Sequence, residues 1–232
     1  MKKHKKIAIR NQLNKEIKTI LGSLIAIVLI AFGIYYFTQN KTEEVADVTN
    51  SSKVPANLTR EFNHKKGPDN AKIKIVEFYD PECEACAAFF PYVKEILFQY
   101  KDDIQLTARY ALYHGNSELA AKASEASALQ GKFWEFQELL FLNQKEWSHS
   151  KIPSTDKFIK YAKDLDLNIS KFMTDMNDLK RMETISIDVE DGKKIGINGT
   201  PTFYVNGKLL ENLNPVAFRS MIEQELASGT KQ

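Results

Sequence analysis

Two cysteines separated by two residues, Cys83-Glu84-Ala85-Cys86, are the only thiols in the chain. They sit between an apolar run, 73–79, and a run of helical character, 87–100. Two thiols at this spacing, at the start of a helix, can close a disulfide on each other, and the helix start favours a thiolate on the first. That is the minimum apparatus of thiol–disulfide exchange. A structural staple over two residues would close a tiny loop and remove little unfolded-state entropy. A zinc site would need further ligands, and no other cysteine exists to supply them. No cofactor is called for.

The flanking elements must hold this pair in place. Residues 73–79 read as a strand buried on both faces. A helix follows from about 83 to 100, with Pro91 as a kink. Ile104, Leu106, Ala108, Tyr110 and Leu112 alternate along a second long strand. Residues 58–62 suggest a short first strand, and Gly67-Pro68-Asp69-Asn70 a turn. From about 115 to 195 the pattern is helical, with helices expected at 117–129, 133–141, 156–165, 170–179 and 183–194. The aromatic cluster within 133–141 reads as core. Strands return at 202–205 and 208–210 around Asn206-Gly207, a hairpin turn signal. Asn214-Pro215 then reads as the cap and first position of a last helix ending near 227. The expected fold is therefore α/β. A parallel strand pair joined by a helix, plus an antiparallel hairpin, gives a mixed central sheet. The helical block is too long for a loop and should form a cap domain beside it.

The chain has 232 residues and a formal net charge of +2, which gives no reason to expect nucleic acid as a partner. The basic excess is local. Lys2, Lys3, Lys5, Lys6, Arg10, Lys15 and Lys18 crowd segment 1–18, and no charge then appears until Lys41. The uncharged stretch 19–40 is close to the ~20 residues that cross a bilayer as a helix. Tyr35, Tyr36 and Phe37 mark its far end, where aromatic rings favour the membrane boundary. We expect a single-pass transmembrane anchor with the basic side cytoplasmic and everything after it outside the cytoplasm, where disulfides persist. A cleaved leader is the rival reading, but no good small-x-small site follows Phe37. Residues 41–57 are polar and aperiodic and read as a flexible tether spanning roughly 20–25 Å. The folded domain is expected at 58–229.

Three separate motifs resemble the thioredoxin fold and, within it, the DsbA-like disulfide oxidoreductases. Residues 77–86, Glu-Phe-Tyr-Asp-Pro-Glu-Cys-Glu-Ala-Cys, are similar to the family's active-site strand and turn. Gln130-Gly131-Lys132-Phe133-Trp134 is similar to its insertion signature. Gly196-Ile197-Asn198-Gly199-Thr200-Pro201-Thr202-Phe203 is similar to its cis-proline loop. The resemblance spans about 67–226. The long helical block separates this chain from plain thioredoxins, which have only a short connection there.

The resemblance implies that Thr200–Pro201 is a cis bond facing the redox pair, with the Thr200 backbone available to an extended client segment. Cys83 should be the attacking and attacked sulfur, and Cys86 the resolving thiol. Glu77, in the expected central strand, would relay a proton to or from Cys86 if it lies beneath the site; the alternative is a strand-edge carboxylate in water. Glu82 and Glu84 bracket Cys83. At ~7 Å each carboxylate opposes the thiolate by roughly 0.6–1.2 kcal/mol, about what a helix end contributes, ~0.3–1 kcal/mol. Stronger oxidants of the family carry histidine where this chain has Ala85, so a milder oxidant without an extremely acidic thiol is expected. His114, alone after the second long strand, reads as a loop histidine. The function expected is a membrane-anchored thiol oxidase acting on exported proteins with cysteine thiols and recharged by a quinone-linked membrane protein. The alternatives are an isomerase or reductase of the same fold, for example for apocytochrome thiols, or a peptide-binding chaperone without redox activity.

Overall fold

A computed structural model of the chain describes Phe32, Pro55 and residues 57–229. The chain divides into two units, Met1–Ser51 and Ser52–Gln232, and the elements below belong to the second. The basic segment 1–18, the anchor expected at 19–40 (Phe32 apart) and the tether expected at 41–57 (Pro55 and Asn57 apart) lie outside the described residues. Among the described residues, no helix is long and apolar enough to cross a membrane.

The centre of the domain is a parallel pair. Strands β2 (Ile73–Tyr79) and β3 (Ile104–Tyr110) run in register, from Ile73 opposite Ile104 to Tyr79 opposite Tyr110. Helix α1 (Glu84–Gln99) connects them, as parallel pairing requires. It runs through Pro91 without ending there. β1 (His64–Lys66) flanks β3, β4 (Thr202–Val205) flanks β2, and β5 (Lys208–Leu209) closes the sheet, all antiparallel. The strand order is β1-β3-β2-β4-β5, a mixed sheet of the expected kind. The turn between β4 and β5 has positive φ at Asn206 and Gly207, 49° and 81°, the pair of angles that a two-residue hairpin turn demands.

Five further helices follow β3: α2 (Ser117–Ala128), α3 (Phe133–Leu142), α4 (Thr155–Asp164), α5 (Ile169–Asp175) and α6 (Leu179–Lys194). A single 3-10 turn, Gln144–Glu146, links α3 to α4. The last helix, α7 (Pro215–Gly229), begins where Asn214 accepts from the Ala217 backbone N–H at 2.9 Å.

Three boundaries differ from the sequence reading, one being the helix expected at 183–194, which starts at Leu179. The first strand is His64–Lys66, not 58–62, because Leu58 is used elsewhere, packing with Val76 and Phe78 under the sheet. The helix expected at 170–179 stops at Asp175, because Asp178 caps the next one by accepting from the Arg181 N–H at 2.9 Å. Apolar and polar residues alternate along β3, and all seven are buried. Gln105 donates to Asp69 at 2.8 Å, and Arg109 meets two aspartates of α6, so polar partners replace water there.

Strand period then assigns the faces. Ile73 and Ile75 pack with Phe89, Val93 and Ile96 of α1 and with Phe218 and Ile222 of α7. Glu77 and Tyr79 continue this α1 face toward the cysteines. Val76 and Phe78 point the other way, into a cluster with Ile197 and Tyr204. The inserted helices have their own core, where Ala120, Ala123 and Ala126 of α2 leave room for Phe136, Trp147, Phe158, Tyr161 and Phe172. The aromatic run of α3 is core, as its spacing suggested.

Candidate active site

β2 ends at Tyr79, and the chain turns through Asp80-Pro81-Glu82 into Cys83, the cap residue of α1 with extended φ and ψ of −74° and 123°. The turn closes when the Cys83 N–H donates to the Asp80 carbonyl at 3.1 Å. Cys86 lies one turn deeper. Both are free thiols in this structure. The sequence reading placed Cys83 at an exposed helix start, but it is only 8% exposed, and Cys86 1%. Glu84 and Ala85 are the exposed positions of the motif. The cysteines pack instead in a cluster with Tyr79, Tyr110, Phe141 and Ile185, which brings α3 and α6 of the insertion against the motif.

The loop before β4 covers the other side. Thr200–Pro201 is the cis peptide bond of the described chain. The Cys83 thiol donates to the Thr200 carbonyl, with Sγ···O 3.3 Å. Cys83, Cys86, Thr200 and Pro201, more than a hundred residues apart in sequence, therefore meet at one place.

The two sulfurs are electrostatically unlike. Cys83 is pulled down to about 5. The hydrogen bond from the Cys86 thiol does most of this; burial works upward, and the Thr200 side chain and the backbone N–H groups of Cys86 and Ala85 add to the pull downward. Those N–H groups are the unpaired donors of a helix start. Cys86 is pushed well above an ordinary thiol by burial, by its role as donor to Cys83, and by the nearby charges of Cys83 and Glu77. Glu77 is 5% exposed, and burial alone raises its carboxyl to about 8. It is not a strand-edge group in water. It is protonated at neutral pH and close enough to Cys86 for their charges to interact.

The carboxylates of the turn are placed differently from the sequence expectation. Asp80 and Glu82 are fully buried. Asp80 accepts from the Glu82 and Tyr113 N–H groups at 2.8 and 2.7 Å, from Ser117 Oγ at 2.5 Å, and pairs with His114 Nδ1 at 2.8 Å. Glu82 accepts from the Asn116 and His149 N–H groups at 2.5 and 2.6 Å. Glu84 alone is exposed, and its carboxyl lies below the usual range because of its own backbone N–H and of His149, whose Nε2 is 2.5 Å away. Gln144 ties the insertion to the motif by donating to the carbonyls of Pro81 and Cys83, both at 3.0 Å.

His114, His149, Gln144 and the burial of Asp80 and Glu82 were not read from the sequence. For His114 a signal was present. Parallel β2 and β3 end together at Tyr79 and Tyr110, so the residues just beyond each strand must be neighbours. His149 and Gln144 had none, because their positions depend on how the insertion folds back. Among the described residues, no group of three or more His, Cys, Asp or Glu side chains is arranged to hold a metal ion.

An α/β sheet of this order, a helix-start thiol pair and an apposed cis-proline loop define a DsbA-like thioredoxin fold and the class of thiol:disulfide oxidoreductases. A family model described as Thioredoxin matches residues 59–224, and the chain belongs to that family. The structure is similar to BdbD from Bacillus subtilis, with a TM-score of 0.64, 26% identity, and coverage of 71% of this chain and 93% of that one. It is also similar to alpha-DsbA1 from Wolbachia pipientis, with a TM-score of 0.66 and 20% identity over 74% of this chain and 94% of that one. In sequence the chain is 29% identical over 192 residues to a Na(+)/H(+) antiporter NhaA from Herminiimonas arsenicoxydans, covering 82% of this chain and 30% of that protein. The chain thus spans less than a third of the length of the curated relatives it matches.

Proposed function

We propose that the protein is a membrane-anchored, extracytoplasmic thiol oxidase that hands the Cys83–Cys86 disulfide to exported proteins. The observation that carries this reading is the unlike pair of sulfurs beside the cis-proline loop: Cys83 near 5 and against Thr200, Cys86 raised and buried. A client thiolate attacks Cys83 Sγ, the Cys83–Cys86 bond breaks, and Cys86 leaves with the electron pair and takes a proton. A second client thiolate then attacks the client sulfur of the mixed disulfide. The client disulfide forms and Cys83 leaves as a thiolate. A sulfur of low pKa is the better leaving group, so the second step, in which Cys83 departs, favours disulfide donation, and the first, in which the high-pKa Cys86 departs, needs a proton delivered to it. Glu77, neutral at physiological pH, supplies the proton to Cys86, and the Thr200 backbone aligns the client segment. A quinone-linked membrane protein, implied by the family resemblance, recharges the pair. The basic segment 1–18 followed by the uncharged stretch 19–40 supports anchoring with the domain outside the cytoplasm.

Two experiments test this. Cys86→Ala should accumulate mixed disulfides through Cys83 with exported proteins and with the re-oxidant; recovery of none, or of cytosolic partners only, contradicts the reading. Equilibration with glutathione should give a potential well above that of cytoplasmic thioredoxin, roughly −270 mV. A value at or below it would favour a reductant.

A further inference from the structure

Oxidation of a client dithiol delivers two electrons and two protons. One proton is accounted for by Cys86, which takes it from Glu77, and Glu77 is then reprotonated from the client. Cys83 stays ionised, so the second proton has no sulfur to occupy. We propose that His114, paired with Asp80, takes that proton, so that the reduced site rests as an imidazolium–thiolate pair and the disulfide form as a neutral imidazole. The proposal rests on the reading that Cys83 and Cys86 cycle between disulfide and dithiol.

The geometry places His114 for this. Asp80 is bonded to both partners, to His114 Nδ1 through its side chain at 2.8 Å and to the Cys83 N–H through its carbonyl at 3.1 Å. Three further donors fix the Asp80 carboxylate, so the ring is held by a rigid acceptor. With Nδ1 donating to Asp80, Nε2 is the nitrogen that remains to accept a proton. The ring is 30% exposed. It lines an open recess of about 410 Å³ together with Leu112, Ile185 and Val189. Those three residues also belong to, or pack on, the cluster that holds Cys83 and Cys86. The recess that His114 lines and the cluster that holds the cysteines therefore share a wall.

The electrostatics agree. Burial works against the charged ring, but the hydrogen bond and charge of Asp80, with the charges of Cys83 and Glu82, raise His114 above its ordinary value. The part due to Cys83 exists only while that sulfur is a thiolate and disappears in the disulfide. Other charged groups also surround the ring. They are Glu82 and Glu84 of the active-site turn, Glu118 of α2, Glu190 and Lys193 of α6, and His149, whose ring lies 5.7 Å away edge-on. His149 is half exposed and paired with Glu84, so it serves as an internal comparison.

The test is a nuclear magnetic resonance titration of the histidine rings in the full chain, held in detergent, in oxidised and reduced forms. His114 should bind its proton roughly threefold or more tightly in the reduced form, the effect of one opposite charge at ~7 Å in a medium between water and protein surface, and His149 should move less. By reciprocity, His114→Gln should weaken the Cys83 thiolate by a similar factor, read from its ultraviolet absorbance against pH. Identical His114 titrations in the two forms, in a chain that still cycles its disulfide with glutathione, overturn the inference alone. A chain that closes no Cys83–Cys86 disulfide overturns the underlying reading and the inference with it.

Discussion

Two clusters of buried charge lie at opposite faces of β2, and they are built on opposite plans. On the Phe78 face, Arg109 is fully buried and donates to Asp188 and Asp191 of α6, both at 2.8 Å. Arg60 reaches Asp191 with two bonds of 2.8 and 2.9 Å, and Asn63 donates to Asp188 at 2.9 Å. Two guanidiniums answer two carboxylates, and Arg109 also stacks over the Phe78 ring at 5.1 Å. Around the cysteine pair, Glu77 on the α1 face and Asp80 and Glu82 in the turn after β2 are buried near a thiol that ionises easily. The partners of Asp80 and Glu82 are backbone N–H groups, a hydroxyl, an amide and an imidazole, with no guanidinium or ammonium among the bonds described. Matched charges lock the N-terminal segment and the insertion onto the sheet. The other cluster holds Glu77, whose carboxyl burial raises to about 8, near Cys86. Buried charge is structural where it balances and functional where it does not.

That contrast can be broken from either side. The largest effect should come from Arg109→Met, which leaves Asp188 with only the neutral donors Asn63 and the Tyr110 N–H and leaves Asp191 to Arg60 alone. It should cost about 3–5 kcal/mol of unfolding free energy, measured by denaturant titration, with the Cys83 titration unchanged. Next is Glu77. Its folded value is raised from the ordinary 4.5 to about 8, so its stabilising protonated form is fully present below about 4.5 and is lost as pH rises through about 8. Glu77→Gln should remove that decline, raising stability above pH ~8 by up to roughly 4 kcal/mol, while slowing exchange. Asp191 runs the other way. Its carboxyl is lowered to about 2, chiefly by Arg60, so its contribution is present above the ordinary 3.8 and is lost as pH falls through about 2. Arg60→Gln should reduce that acid-side loss, read from the same pH-stability curve. A pH-stability curve insensitive to both Glu77 and Arg60 would dissolve the distinction between the clusters.

Local signals in the sequence carried the sheet and the heart of the site. The cysteine pair, the Thr200-Pro201 loop, the Asn206-Gly207 turn and the Asn214-Pro215 cap each act over a few residues, and each lies where its chemistry places it. What stayed hidden was made by meetings across long separations. His114 reaches Asp80 over 34 residues, His149 reaches Glu82 over 67, and Arg109 reaches Asp188 over 79. Glu82 illustrates the cost of this. As a neighbour of Cys83 in sequence it looked like a bare opposing charge, yet the insertion folds back and fills its oxygens with donors. The polar positions of β3 are buried for the same reason, because an aspartate from a distant helix can replace water beside a strand arginine.

The asymmetry of the two sulfurs is tested most directly by following thiolate absorbance against pH in the reduced full chain, with Cys83→Ser and Cys86→Ser assigning each step. One thiolate should appear near 5 and vanish in Cys83→Ser, with Cys86 titrating only well above an ordinary thiol. Two thiols both ionising near 9, or an acidic step that survives loss of Cys83, would contradict the account.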